Sequence, residues 1–99
     1  MRFRKTGNYF MYITTNPGKT VLYTGMTNDL KRRMNEHFER RGETDHFAEK
    51  FFCYNLIYFE MYDKPMDAIL REKEVKNLTR EKKMELIKKK NPRMNFYRV

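Results

Sequence analysis

The segments Tyr9-Phe10-Met11-Tyr12-Ile13-Thr14, Asn16-Pro17-Gly18-Lys19 and Thr20-Val21-Leu22-Tyr23-Thr24-Gly25 decide the fold. The first and third are rich in aromatic and β-branched side chains, which suit a half-buried pleated surface. The middle one sets Pro and Gly at the two central positions of a tight turn. Together they predict a β-hairpin. A turn centred between Pro17 and Gly18 places Tyr12 directly opposite Tyr23, on one sheet face, with Cβ atoms about 4.5–5.5 Å apart. Pro-Gly is not the favoured hairpin pair. A bulge that shifted the register by one residue would put the two tyrosines on opposite faces.

Helix signals begin at Thr27-Asn28-Asp29, a cluster suited to the N-cap and first turn. Leu30, Met34, His37 and Phe38 then recur at helical spacing. At about 100° per residue, Arg33 falls between Leu30 and His37 on the same inward stripe, whereas Arg32 points away. A guanidinium on a buried edge needs a partner. Arg33 and His37 therefore either snorkel past a core or look into a site. The helix closes at Arg40-Arg41-Gly42, and the polar segment 43–50 reads as a loop or a short helix. The run 51–61, with Leu56-Ile57-Tyr58-Phe59, is the most apolar and predicts a central strand. Asp63-Lys64-Pro65 opens a second helix that runs to about Leu78. Thr79 caps a third, Arg80 to Lys90, which Asn91-Pro92 stops. The expected fold is α+β: a small three-stranded antiparallel sheet flanked by helices, in the order β-β-α-β-α-α, in one domain of residues 1–99 with a core of about 9–95.

The chain has 22 Lys and Arg against 13 Asp and Glu, a net charge of +9. Eight Phe, seven Tyr and eight Met argue against a disordered chain despite that charge. A single cysteine, Cys53, excludes an internal disulfide framework. The basic start is not followed by the apolar stretch of a signal peptide, and no run approaches the roughly 20 apolar residues of a membrane span. A cytoplasmic protein with a polyanionic partner, nucleic acid before membrane, is the expectation. Residues 80–93 alone hold Arg80, Lys82, Lys83, Lys88, Lys89, Lys90 and Arg93 against Glu81 and Glu85. Arg2, Arg4, Lys5, Lys31, Arg32, Arg40 and Arg41 add to this basic surface, which grips phosphates without reading bases.

Phosphate-cradling glycine loops, Ser-His-Asp sets and zinc motifs are absent. Tyrosines, the Arg33–His37 pair and helix carboxylates remain. Glu72 lies between Ala68 and Ile69, and Glu74 between Leu70 and Leu78; helical geometry does not choose between them. Tyr12, then Tyr23-Thr24-Gly25, then Asn28-Asp29-Leu30-Lys31-Arg32-Arg33 and His37, resemble the GIY-YIG nuclease domain. Ala68-Ile69-Leu70-Arg71-Glu72, continuing to Val75-Lys76, resembles that family's carboxylate helix. Asn91-Pro92-Arg93-Met94-Asn95 is similar to the tail of its DNA-repair excinuclease members. The likeness runs from about Tyr9 to Asn95 and is strongest to small stand-alone bacterial members. Four residues depart from the pattern: Phe10 and Met11 stand in place of Gly-Ile in the first tripeptide, Thr24 is the middle residue of the second, and Met26 stands where some members carry lysine.

The resemblance implies a metal-dependent endonuclease that hydrolyses DNA phosphodiesters, in repair or recombination. Glu72 is the implied ligand of Mg²⁺ or Mn²⁺, with waters completing the shell. Tyr12 is the implied general base, and Tyr23 orients water or phosphate. A phenol of pKa about 10 costs roughly 4 kcal/mol to ionise at pH 7. Arg33, the metal and a hydrogen bond to His37 are expected to offset this. Alternatively His37 accepts the proton through the tyrosine. Arg33 supplies a positive fork for phosphate charge. Gly25 allows close backbone approach, and Asn95 or Asn91 contacts phosphate. All five residues are expected to converge. The competing function is a basic nucleic-acid-binding module of the same fold with little or no cleavage, and an RNA-directed protein is a third.

Overall fold

The structure, a computed structural model, describes residues 8–99, so Arg2, Arg4 and Lys5 lie outside the described residues. Strands β1 (Tyr9–Thr15), β2 (Leu22–Thr27) and β3 (Asn55–Tyr62) form one antiparallel sheet in the order β2-β1-β3. Helices α1 (Leu30–Glu39) and α2 (Phe47–Lys50) lie between β2 and β3 in the chain, and α3 (Pro65–Lys76) and α4 (Arg80–Lys90) follow. The expected α+β class holds. The short-helix reading of segment 43–50 is realised in α2.

Two details of the sheet differ from expectation. Tyr12 pairs with Gly25, and Tyr23 with Thr14, a register two residues away from the expected one. The tight turn does form, with Lys19 N–H donating to Asn16 O (2.9 Å). The ladder does not resume there because Asn16 Oδ1 takes the N–H groups of Thr20 (2.8 Å) and Val21 (2.9 Å). An Asn side chain thus competes with the opposite strand for backbone donors. A shift of two preserves the face, so Tyr12 and Tyr23 remain neighbours, diagonally.

The second difference concerns the apolar run 51–61. It forms an edge strand, and β1 is central. Its apolar character has another cause: β3 is covered on both faces and along its edge. Leu56 packs with Tyr12, Leu30 and Met34 against α1, whereas Ile57 and Tyr58 pack with Met11, Ile13, Val75 and Ile87 against α3 and α4. A bulge lets consecutive residues do this, since Ile13 pairs with Tyr58 but Thr14 pairs with Leu56. The carbonyl of the skipped Ile57 accepts instead from Asn91 Nδ2 (2.8 Å). Tyr97 N–H donates to Leu56 O (2.7 Å) and closes part of the open edge.

Caps fix the helix starts. Asp29 accepts from Arg32 N–H (3.0 Å) and Thr79 from Lys82 N–H (3.2 Å), each satisfying one orphan donor. Pro65 opens α3, where its missing donor costs nothing. Helix α3 is pinned to β3 by Arg71, whose Nε and Nη2 donate to the two oxygens of Glu60 (2.8 and 3.1 Å). Tyr58 and Tyr62 hydroxyls donate to the same carboxylate, 2.5 Å each, and Arg71 reaches on to Glu74. The sheet therefore has two coated faces, α1 on one and α3 with α4 on the other.

Candidate active site

The polar groups of the α1 face are organised around His37, which is 1 % exposed. Its Nε2 lies 2.9 Å from the Tyr12 hydroxyl and its Nδ1 2.5 Å from Glu49 Oε2. A carboxylate only accepts, so Nδ1 carries the ring proton and donates to Glu49. Nε2 of the neutral ring then accepts from Tyr12. Glu49 is 3 % exposed and Tyr12 fully buried. Three buried polar side chains from β1, α1 and α2 are thus joined in one line. Paired in this way, none bears the full cost of burial without a partner.

Strand sterics place Tyr12. It faces Gly25, and a Cβ on Gly25 would stand 2.5 Å from the Tyr12 hydroxyl oxygen and 2.6 Å from Cζ. Such contacts are impossible, so the bare Cα is what lets the ring lie across β2. The close approach expected at Gly25 is therefore made by Tyr12. Tyr23 packs against Tyr12 (6.2 Å between ring centroids) and edge-on against His37 (5.6 Å). Its hydroxyl makes no hydrogen bond among the described residues.

Arg33, one turn before His37, faces the Tyr12 phenol and also donates to Glu36 Oε1 (3.1 Å). Its side chain is 27 % exposed and opens into a groove of about 500 Å³ that includes Tyr9, Thr27, Asn28, Arg32 and Glu36. The inward stripe read from the helix period is thus real, and Arg33 stands at its margin, between the Tyr12 phenol and this groove.

Burial, helped by the neighbouring Tyr23, raises the Tyr12 pKa well above the ordinary phenol value, and the Arg33 charge only partly opposes this. The expected offset by Arg33 is therefore not achieved. His37 moves the other way: burial lowers its pKa, the hydrogen bond to Glu49 opposes the shift, and the Arg33 charge adds to it. Burial pushes the Cys53 thiol up to about 11, with the charge of Glu49 adding to the effect. At neutral pH the line is an un-ionised phenol donating to a neutral imidazole.

Glu49 was missing from the sequence reading. It sits in a four-residue helix, too short for any period, inside a charged segment. The one available signal was Phe47 and Phe51, an aromatic pair four apart that brackets a helical turn.

Glu72 forms no hydrogen bond or ion pair with this cluster among the described residues. It stands on α3, which packs on the Met11–Ile13 face of the sheet, and its partner is Lys76 (Nζ–Oε2 3.4 Å). Its side chain is only 20 % exposed, one turn from the fully buried Ala68 and three residues before Val75. Helix α3 packs against β1 and the edge strand β2. Glu74 is 63 % exposed and tied to Arg71, so Glu72 is the inward carboxylate of the two. No group of three or more His, Cys, Asp or Glu suited to a metal occurs among the described residues.

Asn91 is buried and its amide fully used, on Ile57 O, Asn95 O (2.9 Å) and Asn95 N–H (3.0 Å). It holds the C-terminal turn, and only the exposed Asn95 is left to meet a phosphate. The basic residues divide between the faces. Arg32 is exposed on α1, shared with Asn28 Oδ1 (3.1 Å) and Glu36 (3.7 Å). Arg80, Lys82, Lys88, Lys89 and Lys90 are exposed on α4, with Lys83 half-buried, and none forms an ion pair among the described residues. Because α4 covers the opposite face, its charges do not rim the tyrosine site as expected. No helix among the described residues is long and apolar enough to cross a membrane.

Comparison with known proteins matches residues 8–94 to the family model described as the GIY-YIG catalytic domain. UPF0213 proteins of Staphylococcus aureus strains Mu3 and Mu50 are 35 % identical over 83 residues, covering 84 % of this chain and 98 % of theirs. The solution NMR structure of a UPF0213 protein from Bacillus halodurans superposes with a TM-score of 0.53 at 28 % identity, covering 86 % of this chain and 87 % of that one.

Proposed function

The chain belongs to the GIY-YIG family, and from that premise we propose that it is a metal-dependent endonuclease hydrolysing DNA phosphodiester bonds. The observation that carries the reading is the buried line Tyr12–His37–Glu49 with Arg33 beside it. It is a proton relay with a cation at its mouth. Arg33 lies between the buried Tyr12 hydroxyl and the groove, and its shift onto a bound phosphate would admit a water to that oxygen. The water gives the Tyr12 oxygen a proton while the Tyr12 proton passes to His37 Nε2. The hydroxide left attacks phosphorus as the P–O bond to the departing strand breaks, and the departing oxygen takes a proton from solvent. The imidazolium so formed is stabilised by the Glu49 carboxylate, the role an acid plays behind histidine in hydrolase triads. No phenolate accumulates, and none is affordable here, since ionising even an ordinary phenol costs roughly 4 kcal/mol at pH 7.

Arg33 then presents its fork to the phosphate oxygens on which charge develops. Tyr23 orients the attacking water or a phosphate oxygen with its unengaged hydroxyl. Glu72 is the proposed metal ligand. A lone inward carboxylate suits a hard cation that keeps most of its waters, as Mg²⁺ or Mn²⁺ does. Glu72 would hold such a cation, which would supply charge neutralisation to a phosphate that lies within reach of both α3 and Arg33. The repair-type tail favours a place in DNA repair or recombination.

Cleavage of single-stranded, duplex and branched DNA with Mg²⁺ or Mn²⁺ tests the reading. Glu72→Ala is expected to abolish cleavage while DNA affinity stays close to wild type, and Glu74→Ala to matter far less. Equal cleavage by Glu72→Ala and wild type would sink the metal assignment.

A further inference from the structure

Beside the tyrosine pair the surface carries rings that core packing does not account for. Phe38, Phe47, Phe51 and Phe52 are between 39 % and 51 % exposed. Phe47 stacks on Tyr23 (6.3 Å between centroids, 22° between planes) and meets Phe51 at 4.7 Å, so these two rings are continuous with the tyrosine pair, and Phe52 follows Phe51 directly in the chain. Cations lie over two of these rings: the Arg41 guanidinium 3.9 Å from the centre of Phe38, and Lys50 Nζ 5.5 Å from that of Phe51.

The backbone holds one ring out at a cost. Helix α2 ends with Cys53 N–H on Ala48 O (2.8 Å) and Phe52 N–H on Glu49 O (3.3 Å), the bond pair that surrounds a left-handed residue. That residue is Phe52, φ 59°, where glycine is the ordinary choice and a β-carbon is strained. Stability would be served by glycine; the chain carries an exposed phenyl ring instead.

We propose that Phe47, Phe51 and Phe52, with Arg41 and Lys50, form a stacking platform for the unpaired bases of a single nucleic-acid strand and deliver its backbone to Arg33 and Tyr12. The proposal rests on the nuclease reading above for its purpose, not for its geometry. Exposed rings accept the face of any base, and flanking cations meet the adjoining phosphates. Bases within a duplex are already stacked on each other and offer no face. A second copy of the chain fits worse: a two-fold contact sets the patch against itself, so Arg41 and Lys50 add charge of the same sign from both copies to one contact.

Binding in a chelator, where cleavage plays no part, tests this with three labelled ligands of one length: an oligothymidylate, a duplex and an abasic strand. Wild type is expected to prefer the oligothymidylate over the abasic strand. Phe52→Gly and Phe47→Ala are each expected to weaken oligothymidylate binding by about 5- to 150-fold, the worth of one stacked base, and to leave the other two ligands nearly unchanged. Phe52→Gly relieves the left-handed strain, so its melting temperature should stay level or rise, and its loss of binding is then not a loss of fold. Unchanged oligothymidylate binding in both variants, or equal losses on all three ligands, overturns the platform. So does a wild-type dimer that Phe52→Gly dissociates. An enzyme that binds the strand through these rings but never cuts refutes the nuclease reading alone; one that cuts with the rings irrelevant refutes the platform alone.

Discussion

Each face of the sheet joins a carboxylate, at least one tyrosine hydroxyl and a nitrogen base in one hydrogen-bonded group, buried on the α1 face and half-buried on the α3 face. On the α1 face the group is Tyr12, His37 and Glu49; on the α3 face it is Tyr58, Tyr62, Glu60 and Arg71. The ingredients match, but the base differs. Arg71 never gives up its proton, and its hydrogen bond to Glu60 raises its pKa further. Burial acts to raise the Glu60 pKa, but hydrogen bonds from Arg71, Tyr58 and Tyr62 outweigh it and hold the carboxyl below its ordinary value. Burial and that carboxylate push the Tyr62 phenol up to about 12. Every proton there is locked in place. His37, by contrast, has an unprotonated nitrogen that accepts from a hydroxyl, and a carboxylate behind it. One group can hold a helix to a strand; the other can move a proton.

Removing one hydroxyl from each group should separate them most widely. Tyr12→Phe is expected to lower the cleavage rate by about 10²- to 10⁴-fold, the usual worth of a positioned acid–base group. Tyr58→Phe should leave cleavage intact and cost about 1 kcal/mol of stability, the worth of a hydrogen bond. Cleavage kinetics and denaturant melts on both variants give the comparison. Similar cleavage losses in both would erase the distinction.

Changing the ion-pair partner gives a smaller contrast. An amide at position 49 donates to His37 Nδ1 and turns the ring's proton toward Tyr12, so Glu49→Gln should reduce cleavage by about 10²-fold or more. The folded spectrum should be preserved. Arg71→Ala should instead destabilise by about 2 kcal/mol, less than the toll of breaking a fully buried pair because Arg71 is 26 % exposed. Its cleavage rate below the melting transition should match wild type.

The smallest effect is in pH. The His37 pKa is depressed in the fold, so above about pH 6.5 both folded and unfolded chains hold it neutral. Below that the unfolded chain takes up a proton that the folded chain refuses, and stability falls. Glu60 is depressed as a carboxyl, so its contribution is intact above about pH 4.3 and is lost as pH drops through its folded value. Denaturant midpoints measured against pH should show two separate acid losses. His37→Gln should erase the upper one and Glu60→Gln the lower. A single loss insensitive to His37→Gln would mean the imidazole is not held neutral.

Much of the α1 face was legible in the sequence because it is written in periods. The alternation around Tyr12 and Tyr23 gave the shared face, and the stripe Leu30–Arg33–Met34–His37 gave the inward arginine and histidine. What escaped is what no period encodes. The register moved by two because one side-chain oxygen, on Asn16, outbid a strand for two N–H groups. The apolar run in β3 read as central because a bulge turns consecutive residues to both covered faces and a returning tail closes part of the edge. Glu49 reaches His37 across twelve residues from a single helical turn. The position of Glu72 relative to the tyrosines depends on how α3 crosses the far face, which a helical wheel does not contain.

The contact between the Tyr12 ring and the bare Cα of Gly25 binds the histories of two positions together. Alanine at 25 is intolerable only while a tyrosine occupies 12, and a small residue at 12 relieves the clash but discards the hydroxyl. Substitutions at the two sites therefore cannot add; each sets the fitness of the other. A lineage under selection for the relay can explore neither position alone. One freed from that selection must still lose the tyrosine at 12 before the glycine at 25, so a side chain found opposite residue 12 records that the tyrosine went first.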